Sequence, residues 1–182
     1  ARQVIEDIRS ITKLPCIVTN RSQTEGGRWA GSEEDRIALL LGVLSFVDAV
    51  DIELSTDDMM LDLLIARART SEKIVIISSH DFAATPTVAE MKKILDRSFE
   101  LGADIAKMAV MPNSREDVLN LLKVTLDAQA PVCTISMGEL GKHSRIVAPF
   151  YGSVLTYGSV NNAVAPGQLK VDELKAAMEM LR

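Results

Sequence analysis

The chain has 182 residues, 47% of them hydrophobic, and a formal net charge of −5, a composition that buries one sizeable core and fits a single domain over 1–182. The acidic balance, one tryptophan and 4% aromatics exclude a basic, base-stacking nucleic-acid groove. The longest apolar run, Ile37 to Val50, contains Asp48 and falls short of the roughly 20 residues that cross a bilayer, so no membrane partner is expected either.

Val4, Ile5, Ile8 and Ile11 recur at helical spacing, so the first fifteen residues read as a helix feeding a first strand. Turn-bounded β-branched runs then alternate with helical patterns. Six strands are predicted: Cys16–Asn20, Val50–Leu54, Ile74–Ser79, Ile105–Met111, Val132–Met137 and Val154–Gly158, each apolar on both faces as strands covered by helices must be. Helices are predicted over 33–47, 58–69, 87–101, 115–129, 144–150 and 171–181. Ser32 before Glu33-Glu34-Asp35, Thr85-Pro86, and Ser114 before Arg115-Glu116-Asp117 read as helix starts, and Leu101-Gly102 as a stop. Cys16 and Cys133 stand alone inside apolar runs, and the chain opens with no charged-then-apolar leader. A reduced, cytoplasmic protein without disulfide or metal site is therefore expected.

Glu53, His80 and Lys107 are separated by equal steps of one βα repeat, and each lies at or near the C-terminal end of a predicted strand. In a (β/α)8 TIM barrel those ends form the active-site face, where the three side chains would converge. A doubly wound open sheet would need a glycine-rich phosphate turn after its first strand, and Arg21-Ser22-Gln23 is not one. Six visible βα units against eight imply that about two N-terminal units are missing.

Lys107 shares a strand face with Ile105 and Ala109. Burial there disfavours the ammonium and makes a neutral amine available to attack a ketone, although a lysine snorkelling from a strand end has the same pattern. His80, one repeat earlier, has the titration range of a general base, or is a hydrogen-bonded core histidine. Glu53 shares a face with Asp51 and needs a buried partner: it orients the histidine, or forms an ordinary ion pair. Arg21, Arg145 and Gln168 follow other strand ends, where a guanidinium would clamp a carboxylate. Gly138-Glu-Leu-Gly-Lys-His143 and Ala165-Pro-Gly-Gln168 read as glycine-marked loops, ordinary turns or segments able to close over a ligand.

Arg21-Ser22 with Glu25-Gly26-Gly27, Asp51-Ile-Glu-Leu54, Ser79-His-Asp-Phe82, Lys107-Met-Ala-Val-Met-Pro112, Ser136-Met-Gly-Glu-Leu-Gly141 with Ser144-Arg145, and Ala165-Pro-Gly-Gln168 together resemble the type I 3-dehydroquinate dehydratases. The resemblance runs from Pro15 to the C-terminus and implies a lyase of the shikimate pathway, active as a homodimer without metal or dissociable cofactor. It implies that Lys107 condenses with the C3 ketone of 3-dehydroquinate, that His80 removes the C2 proton and helps the C1 hydroxyl leave, and that Glu53 orients His80. Arg145 and Gln168 would hold the substrate carboxylate and nearby oxygens, and Arg21 the other ring substituents. The chain departs from the family pattern in lacking an upstream Glu-x-Arg pair and in carrying Val164 where a serine is common. Class I aldolases share a strand-end lysine but not these contexts. The other alternative is a catalytically impaired dehydroquinate-binding relative or a fragment of a multifunctional protein.

Overall fold

A computed structural model describes residues 2–182; Ala1, the first position of the expected N-terminal helix, lies outside the described residues. The chain divides into two compact units, Ala1–Ser79 with Ser98–Ile105, and His80–Arg97 with Ala106–Arg182.

The first unit carries α1 (Arg2–Ile11), β1 (Ile17–Thr19), α2 (Glu33–Val43), β2 (Ala49–Glu53), α3 (Asp58–Thr70) and most of β3 (Ile74–Asp81). β1 pairs in parallel with β2 from Ile17↔Ala49 to Thr19↔Asp51, and β2 with β3 from Ala49↔Ile74 to Glu53↔Ser78. Parallel neighbours need a crossover, which α2 and α3 supply. Ile37 and Leu40 of α2 and Leu61, Leu64 and Ala68 of α3 pack on Val50, Ile52, Val75 and Ile77. That spacing of three and four residues is the apolar stripe of a covering helix. Ser32 caps α2 by accepting from the Asp35 N–H at 3.1 Å.

The second unit carries most of α4 (Val88–Glu100), β4 (Ile105–Val110), α5 (Arg115–Asp127), β5 (Val132–Ser136), the short α6 (Gly138–Gly141) and α7 (Ser144–Val147), and α8 (Val171–Met180). β4 and β5 pair in parallel from Ala106↔Val132 to Val110↔Ser136. Val118 and Leu122 of α5 pack with Ala148 beneath them. Ser114 and Asp117 form a reciprocal capping box on α5, which satisfies N–H groups that the first helical turn leaves unpaired.

Five of the six expected strands form, each within two residues of its expected ends. The sixth, Val154–Gly158, does not: only a single bridge joins Val132 to Ser153. One backbone bond, from the Val154 N–H to the Val132 carbonyl, is supplemented there by side chains. The Ser153 hydroxyl accepts from the Thr134 N–H at 3.2 Å and donates to the Leu155 carbonyl at 2.9 Å, while Thr156 Oγ1 donates to the Arg145 carbonyl at 2.7 Å. β1 also departs from expectation, since Ile17 and Thr19 are exposed rather than covered. α4 opens at Val88, one residue after its expected start, where Thr87 and Glu90 bond reciprocally. The glycine-marked stretch after β5 is a helical turn instead of an open loop.

Candidate active site

In the first unit, strand alternation turns Asp51 and Glu53 to one face, and both are fully buried. Arg21, just past β1, reaches Asp51 Oδ1 at 2.6 Å and Glu53 Oε1 at 3.0 Å, and donates to Ser78 Oγ at 2.6 Å. Ser78 Oγ in turn donates to Asp51 at 2.7 Å. Arg36 of α2 donates to Glu53 Oε2 at 2.6 Å and to both oxygens of Glu33 at 2.6 and 2.7 Å. The Ser22 N–H donates to Glu53 Oε1 at 2.8 Å. Burial works against the Arg21 and Arg36 cations, but their carboxylate partners outweigh it and raise both guanidinium pKa values. Glu53 therefore has both oxygens engaged by guanidinium and backbone donors, the ion-pair arrangement that its strand position allows.

Glu25 is a buried carboxylate of the same unit, close enough to Arg21 to help raise its pKa. It accepts from Ser55 Oγ at 2.5 Å. It is brought back over the chain by a tight turn: Gly27 donates its N–H to the Ser22 carbonyl at 2.8 Å, and a Cβ on Gly27 would lie 1.8 Å from the Arg21 carbonyl oxygen. Only glycine fits there.

In the second unit, Lys107 projects from β4 with 7% of its surface exposed, opposite Cys133 in register. Its Nζ lies 4.8 Å from the ring centroid of Tyr157. His80, at the end of β3, is half-buried in the same unit. Arg145 is fully buried on α7, and Nε donates to the Gly167 carbonyl at 3.1 Å and Nη2 to the Pro166 carbonyl at 3.0 Å. Burial pulls its pKa below the ordinary guanidinium value. It remains a cation, since arginine does not lose its proton in proteins. A buried guanidinium held by carbonyls rather than a carboxylate is built to receive an anion.

Gln168 folds back on its own loop, its Oε1 accepting from the Val164 N–H at 2.9 Å. The loop meets the start of α6, where the Gly138 N–H donates to the Pro166 carbonyl at 3.2 Å. Gly167, at φ 68°, admits no side chain, as a Cβ would lie 2.2 Å from the Gly138 carbonyl oxygen. Val164 points into solvent. Among the described residues no three His, Cys, Asp or Glu side chains are grouped to hold a metal ion, and no helix is long and apolar enough to cross a membrane.

The first unit thus gathers Arg21 and Glu53, and the second carries His80, Lys107, Arg145 and Gln168. Sequence reasoning gave no role to Arg36, Glu25 or Tyr157. Arg36 left a signal, because Arg36, Leu40 and Val43 share the buried stripe of α2 and an arginine on such a stripe needs a buried carboxylate. Tyr157 left none beyond its position near the loop.

Comparison with known proteins bears on this arrangement. The family profile described as type I 3-dehydroquinase matches residues 1–182. A 3-dehydroquinate dehydratase of Methanococcoides burtonii is 58% identical over 181 residues, covering 100% of this chain and 77% of that protein. Among solved structures, a type I 3-dehydroquinate dehydratase from Clostridium difficile with covalently modified comenic acid superposes at TM-score 0.92 and 37% identity, over 98% of this chain and 74% of that one. The 3-dehydroquinate dehydratase of Geobacillus kaustophilus gives TM-score 0.93 and 30% identity, over 99% and 73%.

Proposed function

The chain belongs to the type I 3-dehydroquinase family, a family of hydro-lyases on the (β/α)8 barrel fold that dehydrate 3-dehydroquinate, and we propose that it does so through a Schiff base on Lys107. The observation that carries the assignment is a lysine almost fully buried on a strand, under an aromatic face, in the same unit as a half-buried histidine.

The Lys107 amine adds to the C3 ketone, and loss of water from the carbinolamine leaves an iminium that acidifies C2. His80 takes the C2 proton, and the resulting enamine expels the C1 hydroxyl, which leaves as water on receiving a proton from the imidazolium. Hydrolysis of the conjugated iminium releases 3-dehydroshikimate and restores the amine. Arg145 binds the substrate carboxylate, with Gln168 closing beside it, and Arg21 meets the remaining ring oxygens. By the family resemblance Glu53 is the carboxylate that orients the histidine, and Glu25, a second buried carboxylate of the first unit, is the alternative. Glu25 gains weight from the engagement of both Glu53 oxygens by arginine and backbone donors. The reading of 1–182 as one catalytic domain rests on the family match across that span. A cytoplasmic homodimer is supported by two cysteines outside any disulfide and by the exposed apolar residues of α1.

The test is reductive trapping. Borohydride added during turnover is expected to leave substrate-derived mass on the peptide containing Lys107. His80→Ala should retain that adduct and stop elimination, and Lys107→Ala should abolish both. Label on another lysine, or dehydration by Lys107→Ala near the parent rate, sinks the assignment.

A further inference from the structure

Tyr157 lies in the stretch expected as a strand, and its backbone is held on both sides. The Val154 N–H donates to the Val132 carbonyl at 2.8 Å, Cys133 Sγ donates to the Leu155 carbonyl at 3.4 Å, and Thr156 Oγ1 donates to the Arg145 carbonyl at 2.7 Å. Past the ring, Arg145 Nη1 donates to the Tyr157 carbonyl at 3.5 Å. A side chain on so constrained a backbone keeps its ring in place without paying for order during the reaction. That ring stands 4.8 Å from Lys107 Nζ, within the range at which an aromatic face attracts a cation.

We propose that Tyr157 is a further catalytic residue, whose ring face stabilises positive charge on the Lys107 nitrogen as the Schiff base forms and as the hydroxyl leaves. The proposal rests on the reading of Lys107 as the Schiff-base lysine. In the carbinolamine the nitrogen is neutral. When its lone pair forms the C=N bond, the hydroxyl takes a proton from solvent and departs as water, and the charge settles on the nitrogen beneath the ring. Deprotonation at C2 discharges it to the neutral enamine. Expulsion of the C1 hydroxyl returns it to the nitrogen, now conjugated. The two steps that create charge are thus the two that the ring favours. A carboxylate at the same distance would stabilise the charge more strongly, but would also hold the resting amine as its ammonium. The ring does this more weakly. Cys133 of β5 is a titratable group beside the lysine, paired with it in register.

The experiment compares Tyr157→Phe, which keeps the ring face, with Tyr157→Leu, which removes it. Expected for Tyr157→Leu is a loss of roughly 3- to 30-fold in kcat, with a smaller trapped-iminium fraction at steady state and an unchanged thermal midpoint. Tyr157→Phe is expected to stay within about twofold of the parent. In the His80→Ala background, where only adduct formation remains, the rate of borohydride trapping should fall in Tyr157→Leu, since the iminium has lost a stabilising neighbour, and hold in Tyr157→Phe. A parental kcat and trapping rate in Tyr157→Leu overturns the proposal. So does a Tyr157→Phe variant as impaired as Tyr157→Leu, which would assign the effect to the hydroxyl. Failure of the underlying reading is separable, because the parent would then yield no adduct on Lys107.

Discussion

Two arginines on this chain do opposite things with the same side chain, and their partners decide which. Arg36 is buried against Glu33 and Glu53, so its charge is spent inside the protein and it organises the end of β2. Arg145 is buried against the Gly167 and Pro166 carbonyls, and under the proposed function its charge meets the substrate carboxylate. We expect Arg145→Ala to raise KM with a modest change in kcat, because a carboxylate clamp acts on ground state and transition state alike. The size should be on the order of 2–4 kcal/mol if the pair is desolvated, or about thirty- to several-hundred-fold, read from steady-state kinetics. Arg145→Lys should recover only part of it, since an ammonium lacks the two-pronged donor geometry. An unchanged KM would give the carboxylate to another residue. The role of a carboxylate behind the histidine is open to the same approach. Whichever of Glu53→Gln and Glu25→Gln displaces the acid limb of the pH profile of kcat names the group that senses the imidazolium, whereas a purely scaffolding change should lower the thermal midpoint and leave the limb in place.

At the scale of elements, the helices report how local chemistry marks their starts. Ser114 and Asp117 close the N-terminus of α5 reciprocally, and Ser114→Ala is expected to cost about 1 kcal/mol, a fall of about 2–4 °C in thermal midpoint for a chain of this size. Asp117 adds a pH signature. The backbone N–H groups of Asn113 and Ser114 hold its carboxyl below the usual range. A depressed carboxylate contributes stability that is present above its unfolded pKa and lost as the pH falls through its folded one. Asp117→Asn should therefore lie below the parent at neutral pH and approach it as the pH is lowered below the usual carboxylate range. A stability gap that widens on acidification contradicts the box. The caps at Ser32 and Ser114 were legible in advance because they depend on residues three positions apart. The sixth strand was misread for the complementary reason. A β-branched run looks the same whether a ladder or side-chain donors such as the Ser153 hydroxyl and the Cys133 thiol satisfy its backbone.

At the scale of the whole molecule, α1 buries Ile5 and leaves Val4, Ile8 and Ile11 exposed, with exposed Leu14 and Ile17 of β1 following them in sequence. Exposed apolar residues in such number, next to a short strand paired with β2, favour association with another chain. Light scattering on a dilution series is expected to find a dimer that dissociates at low concentration, and Ile11→Lys with Leu14→Lys should leave a monomer. A parent that is monomeric throughout would count against the homodimer. Sequence by itself determined the alternation of helices and parallel strands, the caps, and the reactive types at strand ends, because each depends on period, neighbours a few residues away, or the rule that catalytic groups sit where strands end. Only tertiary structure decided what those groups meet. That Glu53 is gripped by Arg36, seventeen positions before it, that Arg145 is held by the loop at Pro166 and Gly167, and that Tyr157 covers Lys107 are contacts between side chains far apart in the chain, and no local pattern encodes the partner of a buried charge.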